Sequence, residues 1–245
     1  MNKEERNNKR VKLLEILNNY TSDKLIKVNS NELSELIFEG KRVVIPIRYL
    51  RMLDLSEIKF DNKDLTNTNL SYTNINLNPQ KICNKDLSSC NLEGVNLSKA
   101  SFDNVIIIES NLKNTKANIN PQTVHNKSLC FCNLEGLNLF DKDFTNVNII
   151  GCNLMKTGAY INPQTVYNKN LSYSNLEGLN LQHMSFKGVN IENTNLKNSA
   201  SHIEINNTLF NSKTIFNKKE DIKIQPVVSL IKENNKINWI KTKQI

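Results

Sequence analysis

Hydrophobic residues recur at every fifth position through most of this chain. That spacing excludes the two commonest ways of burying an apolar face. Leu87, Leu92, Leu97, Phe102, Ile107 and Leu112 form one run; Leu129, Leu134, Leu139, Phe144, Ile149 and Leu154 form a second; Leu171, Leu176, Leu181, Phe186, Ile191 and Leu196 form a third. A helix returns to one face after about 3.6 residues and a strand after two. Neither can keep every fifth side chain inside. A chain that turns a corner every five residues can, and four corners close a coil of about twenty residues.

Three stretches, starting at Leu77, Ile119 and Ile161, align without gaps at a period of 42. The five-residue step holds within each, reaches back through Leu70, Leu65, Phe60 and Leu55, and widens to seven only at 70→77, 112→119, 154→161 and 196→203. Each unit therefore reads as two coils with one corner bulged by two residues. Wrapping the sequence stacks the centres in columns. One column is all leucine (Leu70, Leu92, Leu112, Leu134, Leu154, Leu176, Leu196), and another alternates Phe60, Ile82, Phe102, Val124, Phe144, Val166 and Phe186. Alternation suits a narrow core, because coils about 4.8 Å apart leave no room for a ring on every layer. Two residues before the leucines stand Thr68, Cys90, Ser110, Cys132, Cys152, Ser174 and Thr194, all small enough to point inward. The 43 asparagines suit a chain that turns often, and the 38% hydrophobic content at fixed spacing argues against disorder.

The motifs CNLEG, TNLKN, ANINP, SNLEG, VNIEN and CNLMK place a small residue, Asn, an apolar centre and two further residues in register. Over residues 53–205 this resembles the pentapeptide repeat family. The resemblance implies an all-β fold, a right-handed parallel quadrilateral β-helix. The sequence adds a small α-helical N-terminal cap and a C-terminal cap segment. The expected layout is 1–41 helical cap, 42–210 repeat β-helix and 211–245 capping segment. Residues 4–19 read as an amphipathic helix. Asn29–Glu32 reads as a capping box opening a second helix, which Gly40 ends, and Arg42–Tyr49 reads as the first strand. The tail DIKIQPVVSLIKENNKINWI closes the other end, with Trp239 as a cap contact, or docks on a second copy; a monomer and an end-to-end dimer both remain open. Lys85, Lys127 and Lys169 depart from the pattern, standing where a small inward residue belongs, so those faces are expected to bulge.

The net charge of +8 belongs to the ends: residues 53–205 carry about −1, residues 1–52 carry +4 and residues 206–245 carry +5. A nucleic-acid stripe should instead lie along the working surface, so nucleic acid is not an expected partner. No run approaches the length of a membrane helix, no signal peptide is legible, and the five cysteines show no metal-ligand spacing. The expectation is a cytoplasmic chain with reduced thiols, no membrane contact and no cofactor.

Candidate chemistry is sparse. His125, His183 and His202 lie on different columns or distant coils, and no phosphate loop, HExxH or GxSxG motif occurs. Cys132 and Cys152 fall one coil apart, within disulfide range or as reduced core filler, while Cys83 and Cys130 should face outward. Glu93, Glu135 and Glu177 repeat on one corner and read as a solvated face. The NPQTVYNK segments stack Gln80, Gln122 and Gln164, and likewise Cys83, His125 and Tyr167. This ladder is either a polar interaction strip or a corner variant accommodating the extra two residues. The sequence thus points to a non-catalytic scaffold or protein-interaction module, with another protein as the partner. The alternative comes from the resemblance: some pentapeptide repeat proteins imitate duplex DNA and protect type II topoisomerases such as gyrase, which requires an acidic surface that this repeat region lacks.

Overall fold

A computed structural model describes residues 2–19, 24–199 and 207–216, together with the backbone of short strands between 203 and 240. The chain divides into two compact units, Met1–Asn118 and Ile119–Ile245.

The first unit opens with two helices. In α1 (Lys3–Asn18) the Asn2 side chain accepts from Glu5 N, and Leu13 and Leu17 are buried while Val11 and Ile16 stay exposed. The helix forms where expected, but its apolar residues are not confined to one face. In α2 (Ser30–Ile37) the Asn29 side chain accepts from Asn31 N and Glu32 N, and Leu33, Leu36 and Ile37 are buried. Gly40 does not end this helix. It sits at φ +59° in the turn joining β1 (Phe38–Glu39) to β2 (Arg42–Val43), an antiparallel pair. The strand expected over Arg42–Tyr49 stops at Val43, because Pro46 opens a short helix, α3 (Ile47–Leu50).

The coils follow. β3 (Asp54–Leu55) pairs in parallel with β4 (Asn74–Ile75), and single parallel bridges join Asn69 to Asn91, Asn91 to Asn111 and Asp86 to Ile106. In the second unit Ser128 bridges to Asn148, Asn133 to Asn153, Asn153 to Asn175, Asn170 to Asn190 and Asn175 to Asn195. Partners in the asparagine column are therefore alternately 20 and 22 residues apart.

Regular strand is scarce for a local reason. Two residues after most apolar centres the backbone enters the left-handed region, as at Asn67, Ser89, Asn104, Asn114, Asn146, Gly178 and Asn193. The N–H one residue further on returns to the carbonyl of the centre, as Cys90 N does to Leu87 O (3.0 Å) and Val147 N to Phe144 O (3.1 Å). A third turn residue with positive φ is the mark of a type II turn. It cuts each strand to the residues between corners. The residue before the centre supports the turn: Asn91, Asn111, Asn133, Asn153, Asn175 and Asn195 each accept the N–H two residues on. Asn153 Nδ2 also donates to Asn133 Oδ1, and Asn195 Nδ2 to Asn175 Oδ1, both at 3.0 Å.

Within each unit, its share of the columns forms the core. Leu70, Leu92, Leu112, Leu134, Leu154, Leu176 and Leu196 are at most 1% exposed, and Phe60, Ile82, Phe102, Val124, Phe144, Val166 and Phe186 are all buried. The small residues beside the leucines carry polar bonds inward. Ser110 Oγ donates to Leu87 O, Cys152 Sγ to Leu129 O, Ser174 Oγ to Ile149 O and Thr194 Oγ1 to Leu171 O, at 2.6 to 2.8 Å. Thr214 repeats this to Ile191 O, because the coil pairing continues through the Asn195–Ile215 bridge.

The two extra residues per unit do not make a corner bulge. They lengthen one side by an in-out pair: Thr73, Ile75 and Leu77 are buried around exposed Asn74 and Asn76. Thr115, Ala117 and Ile119 repeat the pattern in sequence, as do Thr157, Ala159 and Ile161.

Beyond the coils, β5 (Ile203–Glu204) pairs in parallel with β6 (Ile222–Lys223), and β7 (Ser229–Glu233) forms an antiparallel hairpin with β8 (Lys236–Ile240). The cap contact expected of Trp239, and His202, lie outside the described side chains. No helix among the described residues is long and apolar enough to cross a membrane.

Candidate functional site

The NPQ ladder is built by three residues with three tasks. The Asn78, Asn120 and Asn162 side chains accept from the backbone N–H of Gln80, Gln122 and Gln164, fixing the turn. Pro79, Pro121 and Pro163 are buried. Each glutamine then bridges to the next coil. Gln80 Nε2 donates to Ser101 O and Asp103 O, Gln122 Nε2 to Asp143 O and Thr145 O, and Gln164 Nε2 to Ser185 O and Lys187 O, over 2.8 to 3.3 Å. The glutamines of the candidate strip thus staple coils together.

Further along the same segment, Cys83, His125 and Tyr167 begin a tight turn. Asn84 and Lys85, Asn126 and Lys127, and Asn168 and Lys169 are all left-handed, at φ 49° to 55°. The turns close by Asp86 N to Cys83 O, Ser128 N to His125 O and Asn170 N to Tyr167 O, each 3.2 Å. Two successive left-handed residues define a type I′ turn, which favours Asn-Gly. The lysines are therefore not inward: Lys127 and Lys169 are exposed and Lys85 is half-buried. Cys83 and His125 are half-buried, Tyr167 is exposed, and the Cys83 Sγ lies 3.6 Å from Lys41 Nζ.

The glutamate corner differs from the solvated face expected. Glu135 is only 9% exposed and pairs with Lys156 at 3.3 Å. Glu93 accepts from Tyr72 Oη (2.6 Å) and Asn111 Nδ2 (3.3 Å). Glu177 accepts from Asn195 Nδ2 (3.1 Å) and pairs with Lys197 at 3.8 Å. These carboxylates are spent on neighbouring coils: Asn111, Lys156, Asn195 and Lys197 lie on the following layer, and Tyr72 on the preceding one.

All five cysteines are free. Burial pushes the Cys90 thiol up to about 12 and the Cys152 thiol well above its ordinary range. His183 is exposed. Among the described residues no group of three or more His, Cys, Asp or Glu is placed to hold a metal ion.

Sequence reasoning passed over a pair of outward aromatics, Phe131 (52% exposed) and Tyr173 (61% exposed). Both occupy the left-handed corner position, at φ 57° and 62°, where Asn or Gly is usual in this chain. Departure from that usage was the legible signal. The Phe131 ring lies over Gly151, where any Cβ would collide with it.

The family model described as pentapeptide repeats, in eight copies, matches residues 86–118 and 170–199. Among solved structures the chain is similar to HetL, a pentapeptide repeat protein involved in heterocyst differentiation regulation from the cyanobacterium Nostoc sp. strain PCC 7120. The two are 15% identical over 72% of this chain and 90% of that one, and the TM-score of 0.26 is too low to carry a shared arrangement. No curated protein matches. The matched repeats share one register with the stapled coils described above, and over residues 86–118 and 170–199 the chain is similar to the pentapeptide repeat proteins.

Proposed function

We propose that this chain is a non-catalytic scaffold and protein-interaction module, built as a right-handed quadrilateral β-helix over residues 42–210. In this reading residues 1–41 form a helical N-terminal cap and residues 211–245 a closing segment. The buried faces of α1 and α2 support the first of these, since the end of a solenoid needs cover against stacking. The partner is another protein, and the chain is cytoplasmic.

One observation carries the reading. The polar side chains that recur with the repeat, Gln80, Gln122 and Gln164 with Glu93, Glu135 and Glu177, are turned to holding one coil to the next. The outer surface is what the fold offers to other molecules. The near-neutral charge of residues 53–205 gives the DNA-mimic alternative no support.

The test is chemical cross-linking of the tagged full chain in extract of its source cells, followed by sedimentation of the purified complex. The expected result is a heteromeric complex of fixed stoichiometry that re-forms from its separated components. Sedimentation of the chain alone, with no component rebinding, would overturn the proposal.

A further inference from the structure

Within the second unit, seven residues other than Asn and Gly stand at left-handed backbone positions among the described residues, and four of them share one side of the coil. Lys127 (φ 49°), Phe131 (φ 57°), Lys169 (φ 49°) and Tyr173 (φ 62°) are all left-handed. Elsewhere the same unit puts Asn or Gly at most such corners, as at Asn146, Gly178, Gly188 and Asn193, with Asp141, Lys156 and His183 as the other exceptions. A Cβ in this region is a steric burden that Asn and Gly relieve. An observed outlier of this kind supports a functional hypothesis.

The four lie on one side of the coil. Lys127 and Phe131 bracket Leu129, and Lys169 and Tyr173 bracket Leu171. The backbone stacks them through the intervening layer: Asn148 N donates to Lys127 O, Phe131 N to Ile150 O, and Gly151 N to Ser172 O. Gly151 lets the Phe131 ring lie along the stack, and half-buried Ile150 adjoins it. The result is an exposed apolar strip edged by lysines.

A comparable aromatic in the first unit shows what engagement within the chain looks like. Tyr72 lies over Gly94, its hydroxyl donates to Glu93 at 2.6 Å, and the Arg51 guanidinium sits 5.2 Å from its ring centroid. Phe131 has no hydroxyl to engage and keeps about half its surface in solvent.

We propose that the face bearing Lys127, Phe131, Lys169 and Tyr173 docks an acidic amphipathic α-helix lying along the stack. Acidic residues opposite them would complement the charge of the lysines. Glu135 and Glu177, at the next corner, already face Lys156 and Lys197, and Glu192, whose carbonyl accepts the Tyr173 N–H, belongs to the layer beyond Tyr173. Asp143 lies within range of the Lys127 charge, and its carboxylate is held by the Thr145 N–H at 2.8 Å. Spacing selects a helix. Layers about 4.8 Å apart put Phe131 and Tyr173 about 9.6 Å apart along the stack. Helix positions i and i+7 are about 10.5 Å apart, with i+3 or i+4 falling over the middle layer. Phosphates of a nucleic-acid strand, recurring at about 3.4 Å, match neither the rungs nor the apolar middle.

This inference rests on the protein-interaction reading and names the surface it uses. The probe is a fluorescent 14-residue helical peptide with leucines at i, i+4, i+7 and i+11 and glutamates flanking them. Its control is a scrambled peptide of the same composition, with anisotropy measured on the full chain. The patterned peptide is expected to bind at least about tenfold tighter than the scrambled one. Phe131→Asn with Tyr173→Asn, which keeps a residue suited to the corner, is expected to remove at least about nine-tenths of that affinity. Lys127→Gly with Lys169→Gly is expected to weaken binding while raising the melting temperature, since glycine suits the type I′ turn. Equal binding of the two peptides, unchanged affinity in both variants, or displacement of the peptide by oligo-dT at lower concentration than by unlabelled peptide would each overturn the proposal. A native partner whose binding survives all four substitutions would overturn this face and leave the interaction module standing.

Discussion

The Gln122 side-chain amide donates to the carbonyl oxygen of Thr145, 23 residues on, at 2.8 Å, while the same nitrogen reaches Asp143 O at 3.1 Å. One side chain thereby holds two carbonyls of the following coil. Gln122→Ala is expected to lower stability by about 1 kcal/mol. Gln182→Ala, at an exposed site, should stay under ~0.5 kcal/mol. Urea unfolding of both variants checks the contrast, and equal midpoints would show that the staple contributes nothing.

Leu134 is fully buried and Glu135 nearly so, but they are held differently. Leu134→Ala leaves a cavity and should cost about 2–5 kcal/mol. Glu135→Ala loses a pair whose Lys156 partner is 71% exposed and should cost about 1 kcal/mol. Thermal melts of the two, with Lys156→Ala beside Glu135→Ala in a double-mutant cycle, measure both quantities.

Gly151 and Gly188 share the left-handed backbone, at φ +70° and +69°, yet only Gly151 lies under a ring. Gly188→Ala should cost about 1–2 kcal/mol for the backbone alone. Gly151→Ala should cost more, because the Phe131 ring must move. Adding Phe131→Asn should bring it back to the Gly188→Ala value. Chemical denaturation of the three variants decides this, and no difference between the single variants would place the ring elsewhere.

Cys83 and Cys130 are half-buried, whereas Cys90, Cys132 and Cys152 are at most 1% exposed. The thiolate is the reactive form. Iodoacetamide at about pH 8 should modify Cys83 and Cys130 and spare the other three, as read by peptide mass mapping. Burial raises the folded pKa of Cys90 to about 12, so above about pH 8.5 the folded chain keeps a proton that the unfolded chain loses. Stability should fall as pH rises past that value, and Cys90→Ala should flatten the alkaline limb.

Asp64 accepts from Thr66 Oγ1 at 2.7 Å and Thr66 N at 3.1 Å, and these bonds hold its carboxyl below the ordinary range. A lowered folded pKa contributes stability above about pH 4, lost as pH falls through the folded value. Asp64→Asn retains an acceptor for the turn, as Asn91 does in its own. Its melting temperature should therefore fall less than that of the parent chain between about pH 5 and about pH 2.5.

The repeating core was legible because it is written in spacing: a buried Leu92 requires a buried Leu97, and small Cys90 and Ser110 require room inside. Arg42–Tyr49 misled because β-branched residues advertise a strand, while Pro46 overrides them locally. The placement of the two extra residues was hidden by attention to NPQ. The alternation of Thr115, Ala117 and Ile119 before it carried the answer. Glu135 was misjudged because a residue following a centre points outward in one coil yet can be roofed by the next, and spacing along the chain does not report neighbours across layers. Phe131 and Tyr173 were missed for a related reason: a five-residue period draws the eye to the centres, and the corner residues announce themselves only by their backbone angles.

The alternation of 20- and 22-residue separations in the asparagine column has an evolutionary consequence. Copying a single turn of such a chain would set ring against ring in the Phe/Val column and leave a glutamine without its carbonyls. Copying 42 residues preserves both. A gene of this design grows or shrinks by paired turns, and homologues differing in length should differ by multiples of that pair.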